Sequence, residues 1–369
     1  MPFDPPVDSL RVRVRSIYAR FEQPISSISL LGGFAFDAIT LKRVDTLWEN
    51  SWVVAHLAVV AVCIILINRA DRTGIDPKDP ARADFWLLNI LQFFFGGLLS
   101  TFLVFYFRSG SLRVSWPFFL ILVAAFVANE RLKRQHARLY FQISLFFLSL
   151  FCFTIFILPV VLHAIGSLIF LLSGAVSLAL LYLFLRLLRS VAGENFAAGR
   201  PALIACIAAI FLSINVLYFL NLIPPIPLSL QNAGAYHAIA RTADGNYAVQ
   251  AEDQGWLRFF RLADTFHSKP GAPVYAYSAV FSPTALNTKI VHEWQFYEPA
   301  RGWTTMGRVA LAVRGGRGGG YRTYSEKTGV MPGAWRVNVE TPSGALLGRL
   351  RFNVIDEESD PPLITEVKD

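Results

Sequence analysis

The chain has 369 residues, of which 54% are hydrophobic, only 16% are charged and 31 are phenylalanine. Soluble globular proteins carry about a quarter of charged residues, so this composition excludes a disordered chain and argues against an ordinary cytosolic enzyme. Three cysteines also exclude a disulfide-stapled scaffold. These limits favour a membrane protein with an attached soluble part.

The net charge of +8 is concentrated in the apolar half of the chain. Residues 1–229 carry a net charge of +7, whereas residues 230–369 carry +1. Basic residues between apolar segments are typical of the cytoplasmic loops of membrane proteins and not of a nucleic-acid-binding domain. We therefore expect a phospholipid bilayer as the partner of the first half, and no nucleic acid.

Six apolar runs in the first 222 residues are long enough to cross a bilayer as helices. They are residues 48–68, 85–107, 112–128, 139–163, 164–188 and 202–222. A weaker seventh run, residues 25–41, contains Asp37, and its pattern leaves spanning, re-entrant and interfacial placements open. The prediction is a basic N-terminus over residues 1–24, followed by a transmembrane helical domain over residues 25–222 with six or seven helices.

The basic residues set the expected orientation of this helical domain. If residues 25–41 span, fifteen Lys and Arg residues lie in the N-terminal segment and around positions 69–82, 131–138 and 186–200, against four in the other connections. Because basic loops stay in the cytoplasm, the N-terminus is then cytoplasmic and the C-terminal domain lies outside. The later loops keep the C-terminal domain outside even if residues 25–41 do not span.

Prolines mark the exit from the last apolar run. Pro224, Pro225 and Pro227 cannot continue a helix, so residues 223–234 are expected to form a stiff linker. Beyond the linker the pattern changes to short β-like runs, about eight in all. They predict an all-β, immunoglobulin-like antiparallel sandwich over residues 235–355, and a disordered acidic tail over residues 356–369.

The clearest of these runs form a hairpin. Trp335, Val337 and Val339 share one face of residues 333–341, and polar residues share the other. The same alternation recurs in residues 346–355. The intervening sequence TPSG (341–344) has the composition of a type I turn.

Several segments of the C-terminal half resemble a known bacterial family. They are VHEW (291–294) with Phe296 and Tyr297, YRTYSEK (321–327), GAWRV (333–337) and LGRLRFNV (347–354). This combination resembles the family called domain of unknown function 2914. The resemblance covers residues 265–355 and extends loosely to the membrane part. It implies a bacterial inner-membrane protein with a periplasmic C-terminal domain, and it implies no reaction.

Candidate ligand-binding residues lie in the β-like runs. His292 and Trp294 share a strand face, either as a ligand-stacking pair or as a core tryptophan beside a hydrogen-bonded histidine. Arg322 and Lys327 suit a phosphate or carboxylate, but Arg322 is also interpretable as the structural partner of a neighbouring carboxylate. The hypothetical ligand-binding set is His292, Trp294, Arg322, Tyr324, Ser325, Lys327 and Trp335.

Strand alternation divides that set, because Arg322 and Tyr324 point to one face whereas Ser325 and Lys327 point to the other. Asp37 and His163 are the intramembrane polar candidates. The glycine-rich residues 315–320 lack the ending of a phosphate-binding loop and are interpreted as a hairpin loop. We predict no catalytic residue, metal site or cofactor.

Three functional hypotheses follow. The leading one is a non-enzymatic protein whose periplasmic β domain binds an envelope protein, a glycan or a lipid-linked ligand. The second is a membrane enzyme acting on lipid-linked envelope substrates, with Asp37, His163 and His292 as acid–base groups. The third is a small-solute transporter, which the scarcity of central charges in the apolar runs disfavours.

Overall fold

The computed structural model describes residues 46–70, 83–110, 112–131, 138–192, 200–252, 263–283, 286–315, 319–357 and 361–368. These residues form helices in the first half and strands in the second. The helices are α1 (Leu47–Ala70), α2 (Ala83–Ser109), α3 (Leu112–Arg131), α4 (Arg138–Leu162), α5 (Ser167–Ala192) and α6 (Arg200–Phe219). The strands are β1 (Ser229–Tyr236), β2 (Ala238–Arg241), β3 (Tyr247–Glu252), β4 (Asp264–Ser268), β5 (Val274–Phe281), β6 (Thr288–Glu298), β7 (Gly302–Val313), β8 (Tyr321–Lys327), β9 (Gly333–Glu340), β10 (Leu346–Asp356) and β11 (Leu363–Lys368).

The helical part has the make-up of a membrane protein. Each of the six strong apolar runs forms one helix, and five of the helices are long and apolar enough to cross a membrane. The apolar part of α3, Val114–Asn129, is shorter than the others. Asp37 and residues 25–41 lie outside the described residues, so the seventh span stays a prediction.

Apolar side chains cover both the inside and the outside of the helices. Phe102, Phe147 and Phe156 are completely buried, whereas Leu168 and Tyr182 are 78% and 67% exposed. Helices that are hydrophobic all round belong in an apolar surrounding. Gly174 of α5 permits close packing, because a Cβ there would lie only 3.0 Å from the Phe211 ring of α6.

The β strands form three sheets within the described residues. Their strand orders are β1-β5-β8, β4-β10-β9-β6-β7 and β11-β3-β2. All neighbours are antiparallel except β4 and β10. Side chains of the first two sheets meet in one hydrophobic cluster that includes Val280, Trp294 and Phe352. A smaller cluster with Tyr277 and Val249 joins the third sheet to the opposite side of the β1-β5-β8 sheet.

Two predicted boundaries need correction. Strand β1 begins at Ser229, inside the predicted linker, because Ser229 already pairs with Phe281 and the prolines end at Pro227. The tail is not disordered throughout, since residues 363–368 form β11 along the edge of β3. Local composition did not show this pairing, because the stabilising backbone partner comes from a distant strand.

The β domain rests on one end of the helical bundle. Close packing of the α2 terminus against the proline exit is shown by Gly110, where a Cβ would lie 2.7 Å from Pro224 Cβ. Asn221 Nδ2 donates a hydrogen bond to Ser343 O at 3.2 Å. Ile165, between α4 and α5, packs against the β cluster. The ends of α2, α4 and α6 therefore face the β domain.

Candidate functional site

A buried polar network joins the five-stranded sheet to the β1-β5-β8 sheet. His292 on β6 is fully buried, and its Nε2 lies 2.8 Å from Ser278 Oγ on β5. Its Nδ1 lies 2.9 Å from Ser325 Oγ on β8. Trp294 Nε1 donates to the same Ser325 Oγ at 3.0 Å. The network therefore links β6 of the five-stranded sheet to β5 and β8 of the β1-β5-β8 sheet.

The surroundings of His292 make it a structural group. Burial lowers the pKa of His292 to about 4, so the imidazole is neutral near pH 7. Both ring nitrogens are engaged, and Trp294 is only 1% exposed. This arrangement favours the interpretation of Trp294 as a core tryptophan beside a hydrogen-bonded histidine over that of a ligand-stacking pair.

Among the remaining predicted site residues, Lys327 Nζ lies 5.9 Å from the centre of the Trp335 ring, and the others lie apart. Trp335 is buried and donates its Nε1 to Met331 O at 2.8 Å. Lys327 Nζ donates to Met306 O at 3.0 Å at the sheet edge. Tyr324, which is 37% exposed, contacts two tyrosine rings of the third sheet and β5. His163 is exposed in the turn after α4. Three members of the hypothetical set, His292, Trp294 and Ser325, meet in the buried network, but the whole set does not converge on one site.

Arg322 has an unexpected partner. It is only 7% exposed, and its Nη1 donates to Asn246 Oδ1 at 2.7 Å in the turn between β2 and β3. Its Nε has no hydrogen-bond partner among the described residues. The carboxylate partner considered from the sequence is thus replaced by an amide. Among the described residues, few hydrogen bonds offset the loss of hydration of the buried guanidinium. The bond to Asn246 is therefore expected to contribute strongly to stability.

Replacing Asn246 with alanine is expected to lower the free energy of unfolding by about 1–3 kcal/mol, because the buried guanidinium loses its acceptor. Thermal unfolding of the full-length protein in mild detergent, followed by far-UV circular dichroism, measures the change. The control is Asn353→Ala, which removes an exposed amide from β10. Adding Arg322→Met to Asn246→Ala should abolish most of the asparagine effect, and an undiminished effect in that double variant would contradict the explanation.

The outer face of the five-stranded sheet carries a laterally bonded set of polar residues, which we call the polar face. Arg308 Nη2 contacts Glu340 Oε1 at 2.6 Å. Asn338 Nδ2 donates to Glu293 Oε2 at 2.9 Å, and Arg349 Nε donates to Asn338 Oδ1 at 2.6 Å. The polar face consists of Glu293, Gln295, Trp303, Thr305, Arg308, Arg336, Asn338, Glu340, Arg349 and Arg351, bordered by Tyr297.

Charges on the polar face influence one another. Burial raises the pKa of Glu340 and the charge of Glu293 adds to this, whereas Arg308 and Arg349 oppose it. Burial also lowers the pKa of Arg336, and the neighbouring charge of Arg351 lowers it further. Strand alternation predicts the outward direction of the members on β9 and β10, but it assigns no function to them, because charged residues on a strand usually mark a solvated face.

A third polar cluster links the β11-β3-β2 sheet to β4. Glu252 Oε1 lies 3.0 Å from His237 Nε2, and Glu252 Oε2 lies 2.8 Å from His267 Nδ1. The backbone N–H of His267 also donates to Glu252 at 2.6 Å. Burial acts to raise the pKa of Glu252, but the hydrogen bonds from the two histidines hold it below its usual value. In the described part of the chain no group of three such side chains suits a metal ion.

Comparisons with known proteins bear on the β domain. Residues 287–354 match the model of the family described as "Protein of unknown function (DUF2914)". This segment contains nearly all of the four strands β6, β7, β9 and β10 that carry the polar face. No curated protein matches the chain.

Solved structures give only weak likenesses, each at 11% identity. A crystal structure of an immunoglobulin-like protein from Pseudomonas aeruginosa covers 35% of this chain and 98% of its own, with a TM-score of 0.21. A beta-glucosidase from Listeria innocua in complex with gluconolactone covers 30% and 16%, with a TM-score of 0.18. An alkylpurine DNA glycosylase from Pseudomonas fluorescens bound to DNA containing an abasic site analog covers 80% and 76%, with a TM-score of 0.22.

TM-scores this low establish neither a shared fold nor a shared activity. The family match, by contrast, falls on the segments that carried the resemblance in the sequence. The C-terminal region of this chain is therefore a DUF2914-like domain.

Proposed function

We propose that this chain is a multi-pass protein of the bacterial inner membrane that presents its β domain in the periplasm. The support comes from the ends of the helices. Four arginines lie at the helix ends that point away from the β domain, and about 30 Å of helix separates them from it. They are Arg131, Arg138, Arg189 and Arg200. Basic residues on the side opposite the β domain agree with a cytoplasmic placement of that side.

The β domain itself is proposed to be an immunoglobulin-like sandwich. Two sheets that share one hydrophobic cluster, and that are cross-linked by the His292 network, support a sandwich arrangement. The third sheet, β11-β3-β2, is an addition on the outside of the β1-β5-β8 sheet.

The proposed function of the domain is to bind an envelope glycan through the polar face. One observation carries the proposal: polar side chains on four adjacent strands are held in fixed positions by hydrogen bonds to one another. Gln295, Asn338 and Arg349 are all oriented in this way. Pre-oriented amides and guanidiniums suit sugar hydroxyls, because little side-chain entropy is lost on binding. Tyr297, 42% exposed at the border, offers an apolar ring to a sugar face.

The test is binding of full-length protein in detergent micelles to an array of neutral and acidic envelope oligosaccharides. Tyr297→Ala is expected to weaken glycan binding about tenfold, the size typical of an aromatic contact residue. Tyr324→Ala is the matched control, since Tyr324 is similarly exposed but lies on a different sheet. The proposal is wrong if no glycan binds, or if both variants bind as well as the wild type.

A further inference from the structure

Two arginines of the polar face stand opposite each other without a carboxylate. Arg336 on β9 pairs directly with Arg351 on β10 in the antiparallel register. In the described part of the chain, the ion pairs of this face involve Arg308 with Glu293 and Glu340, and none involves Arg336 or Arg351. Like charges directly opposite on antiparallel strands destabilise a sheet. The fold therefore carries a repulsion that no ion pair among the described residues neutralises, although the charge of Glu293 partly opposes it.

One guanidinium of the pair is held firmly in place. Arg336 Nε donates to Gln295 Oε1 at 2.6 Å, and its Cζ lies 4.2 Å from the centre of the Trp303 ring. The Nη groups of Arg336 make no hydrogen bond within the described residues. Burial and the charge of Arg351 lower the pKa of Arg336, and the charge of Glu293 opposes them only in part. An anion beside both side chains would relieve this repulsion.

We infer that Arg336 and Arg351 form a subsite for the carboxylate of an acidic glycan, such as a polymer of uronic acid. The inference rests on the proposed glycan-binding function of the polar face. Guanidinium groups bind planar carboxylates through paired N–H donors, and Arg336 is already oriented for such a contact. Across the whole face, four arginines against two glutamates leave an excess of positive charge that complements an acidic polymer.

The neighbouring side chains favour a sugar over a lipid headgroup as the source of the anion. Gln295 and Asn338 provide amide groups within the same hydrogen-bonded set, which suit ring hydroxyls. Tyr297 provides an exposed ring. A lipid would also require an apolar groove for its acyl chains. The side chains that these strands direct to this face are instead mostly polar.

The experiment compares each member of a panel of uronic-acid oligosaccharides with its carboxyl-reduced, neutral analogue. Binding to the full-length protein in nanodiscs of neutral lipid is measured by calorimetry at two salt concentrations. The variants are Arg351→Gln, which breaks no hydrogen bond or ion pair among the described residues, and Arg301→Gln. Arg301→Gln is the matched control, because this substitution removes the same charge from the exposed turn between β6 and β7.

The expected result is that acidic oligosaccharides bind at least about tenfold more tightly than their neutral analogues, and more weakly in high salt. Arg351→Gln should remove most of that preference, and Arg301→Gln should keep it. Equal binding of acidic and neutral forms, with no effect of Arg351→Gln, would overturn the carboxylate subsite and leave the glycan function standing. Absence of binding to every member of the panel would overturn both. Tighter association with nanodiscs of anionic lipid, lost in Arg351→Gln and unaffected by the oligosaccharides, would overturn the glycan as the source of the anion.

Discussion

Replacing Trp294 with alanine is expected to lower the free energy of unfolding of the β domain by about 3–5 kcal/mol. Trp294 is 1% exposed and packs edge-on against Phe352 in the cluster shared by two sheets. Its removal leaves a cavity and also takes away the indole N–H that donates to Ser325. For a domain of this size the thermal midpoint should fall by about 10–17 °C.

Hydrogen–deuterium exchange of the full-length protein in mild detergent at rising temperature measures this change, since peptides from residues 229–368 report on the β domain separately from the helices. The control is Tyr297→Ala on the same strand, where an exposed ring is removed and the expected loss is about 1 kcal/mol or less. If the two variants unfolded at the same temperature, the central position of Trp294 in the core would be disproved.

Core residues of the β domain were predictable where a strand alternates regularly. Trp335, Val337 and Val339 were assigned to one face by periodicity, and the structure buries all three. Helices were predictable because long apolar runs have few other stable conformations in a bilayer. In both cases the decisive information is local.

The contacts between strands that the sequence did not reveal depend on the order of the strands in the sheets. Residues 229–368 form three sheets whose neighbours are often distant in the chain, as β10 beside β4 and β11 beside β3. His292 and Ser325 meet only because β6 and β8 belong to facing sheets. Arg336 and Arg351 face each other only in the register set by the hairpin of β9 and β10. Periodicity gives the face of each residue, but the partner on the next strand follows from tertiary structure.

That difference explains why the sequence left two interpretations of the candidate site open. His292, Trp294 and Arg322 were considered as members of a ligand-binding set, with a structural role for each of them as the alternative. The same residue types also satisfy one another in a core, as Trp294 and His292 do through Ser325. Only burial separates the two roles, and burial depends on which sheet covers the strand.

The fully buried imidazole of His292 makes the stability of the β domain depend on pH. In the unfolded chain a histidine has a pKa of about 6.5, whereas burial lowers the pKa of His292 to about 4 in the folded protein. Between these values the unfolded state binds a proton that the native state does not, so stability falls as the pH is lowered. Above about pH 6.5 the contribution is fully present, and below about pH 4 it is lost. The loss over this range is on the order of 3 kcal/mol.

The measurement is the thermal midpoint of the full-length protein at constant ionic strength from neutral to acidic pH. His292→Gln keeps a polar side chain near Ser278 and Ser325 but removes the titration, so its midpoint should fall less steeply than that of the wild type. Trp335→Phe is the control, because it weakens a buried ring contact without changing an ionisable group and should lower the curve without flattening it. Glu252 adds a slope of the same sign at lower pH, since hydrogen bonds hold its pKa below the usual value. A slope in His292→Gln equal to that of the wild type would show that the imidazole does not remain neutral inside the folded domain, and the His292 network would then need a different protonation state.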